Sequence, residues 1–158
     1  MTICETMMQF IENIADKGRL VAFDVGVSKI GVAISDPTRI ISSPHDIFIR
    51  INLKKDVNKA ISYIKAYDVV GVVIGLPLNL KGEDGDSAQV ARTFAAKLSK
   101  ECKRPIFLQD ERFTSKQSQK VMGEYGMSKI KKAAVEDKIA ASFILQAVIV
   151  QLNPLDSE

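Results

Sequence analysis

The feature that most constrains this chain is the stretch Arg19 to Asp36, RLVAFDVGVSKIGVAISD. Two apolar runs, at 20–23 and 30–34, flank a short bend that contains glycine. Runs of this kind, bounded by turn residues, predict the buried strands of a hairpin. One acid, Asp24, closes the first run. Gly26 follows, where the chain turns tightly or lets a ligand approach bare backbone. A charge at the end of a buried strand costs free energy unless a cation answers it, and that cation is either a side chain or a metal.

The rest of the chain reads around this hairpin. Residues 3–15 place Ile3, Met7, Phe10, Ile11 and Ile14 at helical spacing, so an amphipathic helix is expected ahead of the core, ended by Gly18. After Asp36-Pro37, a third strand runs through 40–49, interrupted near Ser43-Pro44. A helix then carries Leu53, Val57, Ala60, Ile61 and Ile64 on one face. The run 69–75, VVGVVIG, is apolar throughout and predicts a central strand buried on both sides. The Pro-, Gly- and Asp-rich loop 76–86 precedes a helix capped by Asp86 or Ser87, with Val90, Ala91, Phe94, Ala95 and Leu98 inward. A strand at 105–109 ends at Asp110-Glu111-Arg112, and a helix starts at Thr114 or Ser115 and runs to about Glu124. Gly123, Gly126 and the basic run Lys129, Lys131, Lys132 mark a mobile break before a last apolar helix, 133–152. The resulting order, β-β-β-α-β-α-β-α-α, predicts an α/β protein. Its mixed five-stranded sheet has three strands in antiparallel succession, then parallel ones, with helices on both faces. Residues 1–17 form an added helix, and 18–158 one domain.

Size and charge set the outer limits. At 158 residues the chain fits one domain and is too short for two full α/β lobes. A net charge of +3 is compatible with a polyanionic partner and equally with ordinary solvated surface. The two cysteines, Cys4 and Cys102, give neither a metal-ligand spacing nor a disulfide framework. Glu5 and Glu12 within the first apolar pattern argue against a signal peptide, and no apolar run approaches the roughly 18 residues of a membrane span. A reducing cytoplasm is the expected compartment, with no membrane partner.

Three acids interrupt or abut apolar elements: Asp24 ends the first strand, Glu111 follows a strand end, and Asp137 opens the final helix. In an open α/β sheet, sites gather at the carboxyl ends of adjacent strands, a topology able to bring these acids together. Carboxylate oxygens are hard ligands, and three of them repel one another unless a divalent cation neutralises them. Mg²⁺ or Mn²⁺ suits such a set, because no His or Cys group exists for zinc. A plainer reading stands beside this one. Asp24 caps a turn, Glu111 pairs with Arg112 or a lysine, and Asp137 is a helix N-terminal charge that suits the dipole.

Four segments, FDVGVSKIGVAISD, VVIGLPLNLKGEDGDSA, QDERFTSKQS and EDKIAASFILQ, occur in this order. Together they resemble the YqgF/RuvX family over about residues 19–152. That family comprises Holliday junction resolvase-like nucleases, also described as pre-16S rRNA nucleases, with an RNase H-like fold. Carried over by motif, the resemblance puts the catalytic and metal-holding triad on Asp24, Glu111 and Asp137, with Mg²⁺ or Mn²⁺ as cofactor. It puts the 75–79 loop and the neighbourhood of Glu111 on the nucleic-acid side. Where the family has Thr and Arg after DxG, this chain has Val27 and Lys29, and lysine lacks arginine's bidentate fork. Strand alternation lets only one of Asp110 and Glu111 face the site, and the family pattern favours Glu111.

Lys29, Arg112, Lys116, Lys129, Lys131 and Lys132 are the cations expected around the acids. Contacts of this kind give salt-dependent affinity with little sequence choice. Asn79 either bonds substrate or stabilises its own loop. His45, the single histidine, reads as a surface turn residue. The leading expectation is a metal-dependent nuclease acting on structured nucleic acid in pre-16S rRNA 5′-end maturation, with ribosomal particles as further partners. Holliday junction resolution is the alternative, and would need two active sites and hence a homodimer rather than a monomer. A non-catalytic RNA-binding module on the same scaffold is another, against which the intact triad speaks. A sugar-kinase or actin-like ATPase also follows a DxG hairpin with a phosphate loop, but places ATP between two such domains, for which this chain has no room.

Overall fold

The computed structural model describes residues 3–79, 81–111 and 129–153, with the backbone path alone over 129–138. In chain order the elements are β1 (Ile3–Cys4), α1 (Met7–Asn13), β2 (Leu20–Val25), β3 (Lys29–Ser35), β4 (Ser42–Ile49), α2 (Leu53–Ala66), β5 (Gly71–Leu76), α3 (Asp86–Glu101), β6 (Ile106–Asp110) and α4 (Lys129–Leu152). The strands form one sheet in the order β1-β6-β5-β2-β3-β4. β2, β3 and β4 are successively antiparallel, while β5 joins β2, β6 joins β5 and β1 joins β6 in parallel. All five expected strands are present, and a sixth is added at the β6 edge.

Strand alternation divides the core into two layers. Val21, Phe23, Val72 and Ile74 face one side and pack with Val57, Ala60 and Ile64 of α2 and Ala91, Phe94 and Leu98 of α3. Leu20, Ala22, Ala33, Val73 and Phe107 face the other, against Phe10 of α1 and Ala141, Ile144, Leu145 and Val148 of α4. Helices therefore cover both faces, and every residue of β5 is buried, as its unbroken apolar run requires.

The departures from expectation have local causes. Ile3 and Cys4 pair with Ile106 and Phe107 instead of opening the first helix. The Thr6 hydroxyl accepts the Gln9 N–H and sets the helix start there, so α1 is one short segment with Phe10 as its buried anchor. Gly85, not Asp86 or Ser87, is the N-cap of α3, and Asp86 is its first helical residue. The interruption expected near Ser43-Pro44 is a β-bulge. Asp46 faces Val32 and Pro44 faces Ala33, leaving His45 as the extra residue. The basic run at Lys129, Lys131 and Lys132 opens α4 rather than marking a break. Lysine is a good helix former, and no Gly or Pro stands between Gly126 and Pro154 to break the helix. The helix expected over about 115–124 lies outside the described residues. Among the described residues, no helix is long and apolar enough to cross a membrane.

Candidate active site

Asp24 shares its face of β2 with Leu20 and Ala22, so it projects on the α4 side near the carboxyl end of the strand. Its partner across β3 is Gly31. On the other flank, one step beyond the Phe23–Ile74 pair, lies Gly75 of β5. The acid thus stands between two positions without side chains.

Gly75 is where the second acid enters. A Cβ at this position would come within 2.5 Å of Glu111 Oε2 and 2.6 Å of Ile144 Cδ1. The Glu111 carboxylate therefore lies over the bare backbone of β5, the strand that separates β6 from Asp24. Its own N–H donates to the Leu76 carbonyl at 3.2 Å, prolonging the β5–β6 ladder by one residue past Asp110. Alternation puts 111 on the α4 side with Phe107, and Asp110 on the opposite side with Leu108.

The electrostatics follow from this crowding. The Glu111 carboxyl is pushed up to about 8, first by burial, then by the negative charge of Asp24 and finally by that of Asp110. Metal-free protein therefore holds a proton on Glu111 at neutral pH. Two hard oxygen donors, one keeping its proton because it is buried and stands near the other's charge, form a set that suits a divalent cation, which would take the proton's place. Neither cysteine belongs to it: both are buried thiols whose pKa burial raises.

The third expected acid, Asp137, is carried on the first half of α4, and its side chain lies outside the described residues. Helical spacing places position 137 on the stripe of Ala141 and Ile144, two turns before the isoleucine that abuts Gly75. The backbone of Lys129, Lys131 and Lys132 forms the opening of the same helix, again without described side chains. Arg112 and Lys116 lie outside the described residues. Lys29, at the start of β3, is exposed beside a cleft of about 210 Å³ whose walls include Asp24, Gly26, Val27, Gly31 and Ile47. Asn79 is occupied with its own loop: its side-chain oxygen accepts the N–H groups of Lys81 at 3.0 Å and Glu83 at 2.9 Å. His45 sits on the edge strand, its ring against Tyr63 and Tyr67. A larger recess of about 950 Å³, between α1 and the Lys103–Pro105 segment, adjoins Cys4 and Val70 at the amino ends of the strands, remote from the acids.

The role of Gly75 was open to a reading of the sequence. A glycine inside a β-branched run marks a close approach by another group. Gly75→Ala is expected to overpack this junction, costing about 1–3 kcal/mol and displacing the Glu111 carboxylate. A thermal melt with a parallel Mn²⁺ titration by calorimetry checks both effects.

Comparison with known proteins agrees with this arrangement of strands. Residues 18–151 match the family model described as "RuvX: Holliday junction resolvase". A relative from Anaplasma marginale (strain St. Maries), named "Putative pre-16S rRNA nuclease", is 33% identical over 147 residues, covering 93% of this chain and 94% of its own. One of the same name from Koribacter versatilis (strain Ellin345) is 39% identical over 132 residues, covering 84% and 86%. The solved structure of T. thermophilus RuvC in complex with Holliday junction substrate superposes with a TM-score of 0.54, over 86% of this chain and 94% of that one. At 10% identity, that likeness speaks for the fold alone, a RuvC-like variant of the RNase H architecture. With the family model spanning nearly all of the chain beyond α1, and relatives matched along most of their own length, the chain belongs to the RuvX/YqgF family.

Proposed function

We propose that this chain is a divalent-metal-dependent nuclease that hydrolyses phosphodiester bonds in structured RNA, acting in the cytoplasm on the 5′ end of the 16S rRNA precursor. The observation that carries the reading is the Glu111 carboxylate lying over Gly75, where burial and then the negative charge of Asp24 make its ionised form costly. Asp24, Glu111 and Asp137 would hold Mg²⁺ or Mn²⁺. Bound ions of this kind activate a water and stabilise the leaving oxygen of a phosphodiester. The chain's own part is to fix the donors: Asp24 on a central strand, Glu111 at the end of the next strand but one, and Asp137 on the helix laid across them. Glu111 must give up its proton for the set to load, so metal uptake at neutral pH releases protons. Lys29 beside Asp24, with Arg112, Lys116, Lys129, Lys131 and Lys132, would meet flanking phosphates and set affinity rather than sequence choice.

The names of the relatives from Anaplasma marginale and Koribacter versatilis support the RNA substrate. The description of the family model supports branched DNA as the second reading. Purified protein should be incubated with a 5′-extended 16S rRNA fragment and with a four-way DNA junction, in Mn²⁺, in Mg²⁺ and in EDTA, and the ends mapped. Cutting of the RNA that EDTA abolishes is the expected result. Cutting confined to the junction transfers the assignment to DNA. Tight RNA binding without cleavage or metal uptake makes the chain a binding module.

A further inference from the structure

Among the described residues, Asp56 is the one acid buried almost completely, at 2% exposed. It lies in the first turn of α2, where the helix dipole favours a carboxylate. One oxygen accepts the Ile51 N–H at 3.0 Å and the other takes Arg50 Nε at 2.8 Å. Arg50 is itself largely enclosed, its side chain 16% exposed. Its guanidinium reaches on, and Nη1 donates to the carbonyl of Gly26 at 3.0 Å. The Arg50 backbone N–H donates to the Ser28 carbonyl at 2.9 Å, and the turn closes on itself through the Gly26 N–H and the Lys29 carbonyl, also at 2.9 Å.

The turn so gripped begins two residues after Asp24, and its residues 26–29 are all exposed, Val27 to 80%. Gly26, Val27, Ser28 and Lys29 also form a wall of the 210 Å³ cleft that Asp24 borders. Left to itself, a short exposed turn with a glycine at its start samples many conformations. Here two of its carbonyls are tied to Arg50, and Arg50 is tied to a buried acid on another element.

We infer that Arg50, held by Asp56, is a positioning residue that fixes the Gly26–Lys29 turn, and with it the cleft and Lys29, relative to Asp24. The inference rests on the nuclease reading of that site and adds a device supporting it from behind. A planar fork is needed because two acceptors lie in different directions, the Asp56 carboxylate and the Gly26 carbonyl. A lysine ammonium keeps the charge but cannot span both with fixed geometry.

Arg50→Lys and Arg50→Ala test this. Thermal melts, steady-state cleavage of the RNA in Mn²⁺ well below the melting temperature, and amide exchange followed residue by residue are the readouts. Arg50→Lys is expected to keep a melting temperature near the wild type, because the pair with Asp56 persists. Its kcat per folded molecule should nevertheless fall about tenfold, as misplaced donor geometry does. Exchange at the Gly26 amide, and at the residue-50 amide bonded to Ser28, should quicken in both variants while the β5 amides stay protected. A purely structural role would lower the melting temperature of Arg50→Ala and leave kcat per folded molecule untouched. Wild-type kcat together with wild-type exchange in folded Arg50→Lys overturns the inference, whether or not Arg50→Ala folds. Should the wild-type protein cleave neither RNA nor junction, the nuclease reading fails by itself, and the exchange data still decide whether Arg50 holds the turn.

Discussion

Asp24→Asn is expected to lower cleavage of the RNA by at least about 10²–10³-fold, the range seen when one group that stabilises developing charge is removed. The loss should leave the fold intact. Asp24 is half-buried between Gly31 and a neighbouring glycine on β5, so an isosteric amide removes charge without removing packing. A neutral oxygen at this position is a poorer partner for a hard cation, and the variant should need more Mn²⁺ for any residual activity. It should also let Glu111 lose its proton at lower pH, since one of its two negative neighbours is gone. The drop is partial, because burial is the larger cause. Cleavage rates over a Mn²⁺ series, with a melt to establish folding, make the measurement. Wild-type rates in the variant would take the acids out of the chemistry.

Glu111→Gln carries the second large effect, and in metal-free buffer it is a gain. The folded protein holds this proton up to about 8, against an ordinary value of 4.5. Between those limits the folded state binds more protons than the unfolded chain, so stability falls as pH rises through the interval and levels off above it. Each pH unit is worth about 1.4 kcal/mol at most, and with solvent reaching part of the carboxylate a total near 2–3 kcal/mol is expected. The glutamine variant lacks this decline. It should match the wild type near pH 4 and exceed it by that amount above pH 8, read from urea melts in EDTA across the range. Mn²⁺ should reverse the order, because binding stabilises the wild type by mass action and the variant has lost a ligand. A wild-type stability flat from pH 5 to 9 in EDTA would mean that Glu111 is not held protonated.

The β-branched and aromatic runs carried most of the fold in their order and spacing. The hairpin at 20–35 and the buried run of β5 follow from side chains that their own neighbours identify. β1 does not, because two residues have no period. Ile3 and Cys4 fit a helical stripe as well as a strand until Ile106 and Phe107, about a hundred residues on, offer an edge. Part of the candidate site was legible in the same way. Asp24 and Glu111 stand out as charges at strand ends, and alternation separates Glu111 from Asp110. What a linear pattern could not carry is cross-strand register. The placing of a Glu111 oxygen over Gly75 depends on how β5 and β6 align. Arg50 and Asp56 are six residues apart with no periodic reason to meet, and only the corner between β4 and α2 joins them. Asn79 carried two readings, and its bonds to Lys81 and Glu83 account for its oxygen locally.

The kinked β4 has a bearing on association. Pro44 offers no N–H along this rim, and the extra residue His45 throws the strand out of step with any straight neighbour. A second molecule that tried to lengthen the sheet here would meet a broken ladder of donors. Among the described residues β4 is the long edge of the sheet, and its bulge and proline work against stacking into open-ended ribbons there, even with Ile49 bare to water beside it.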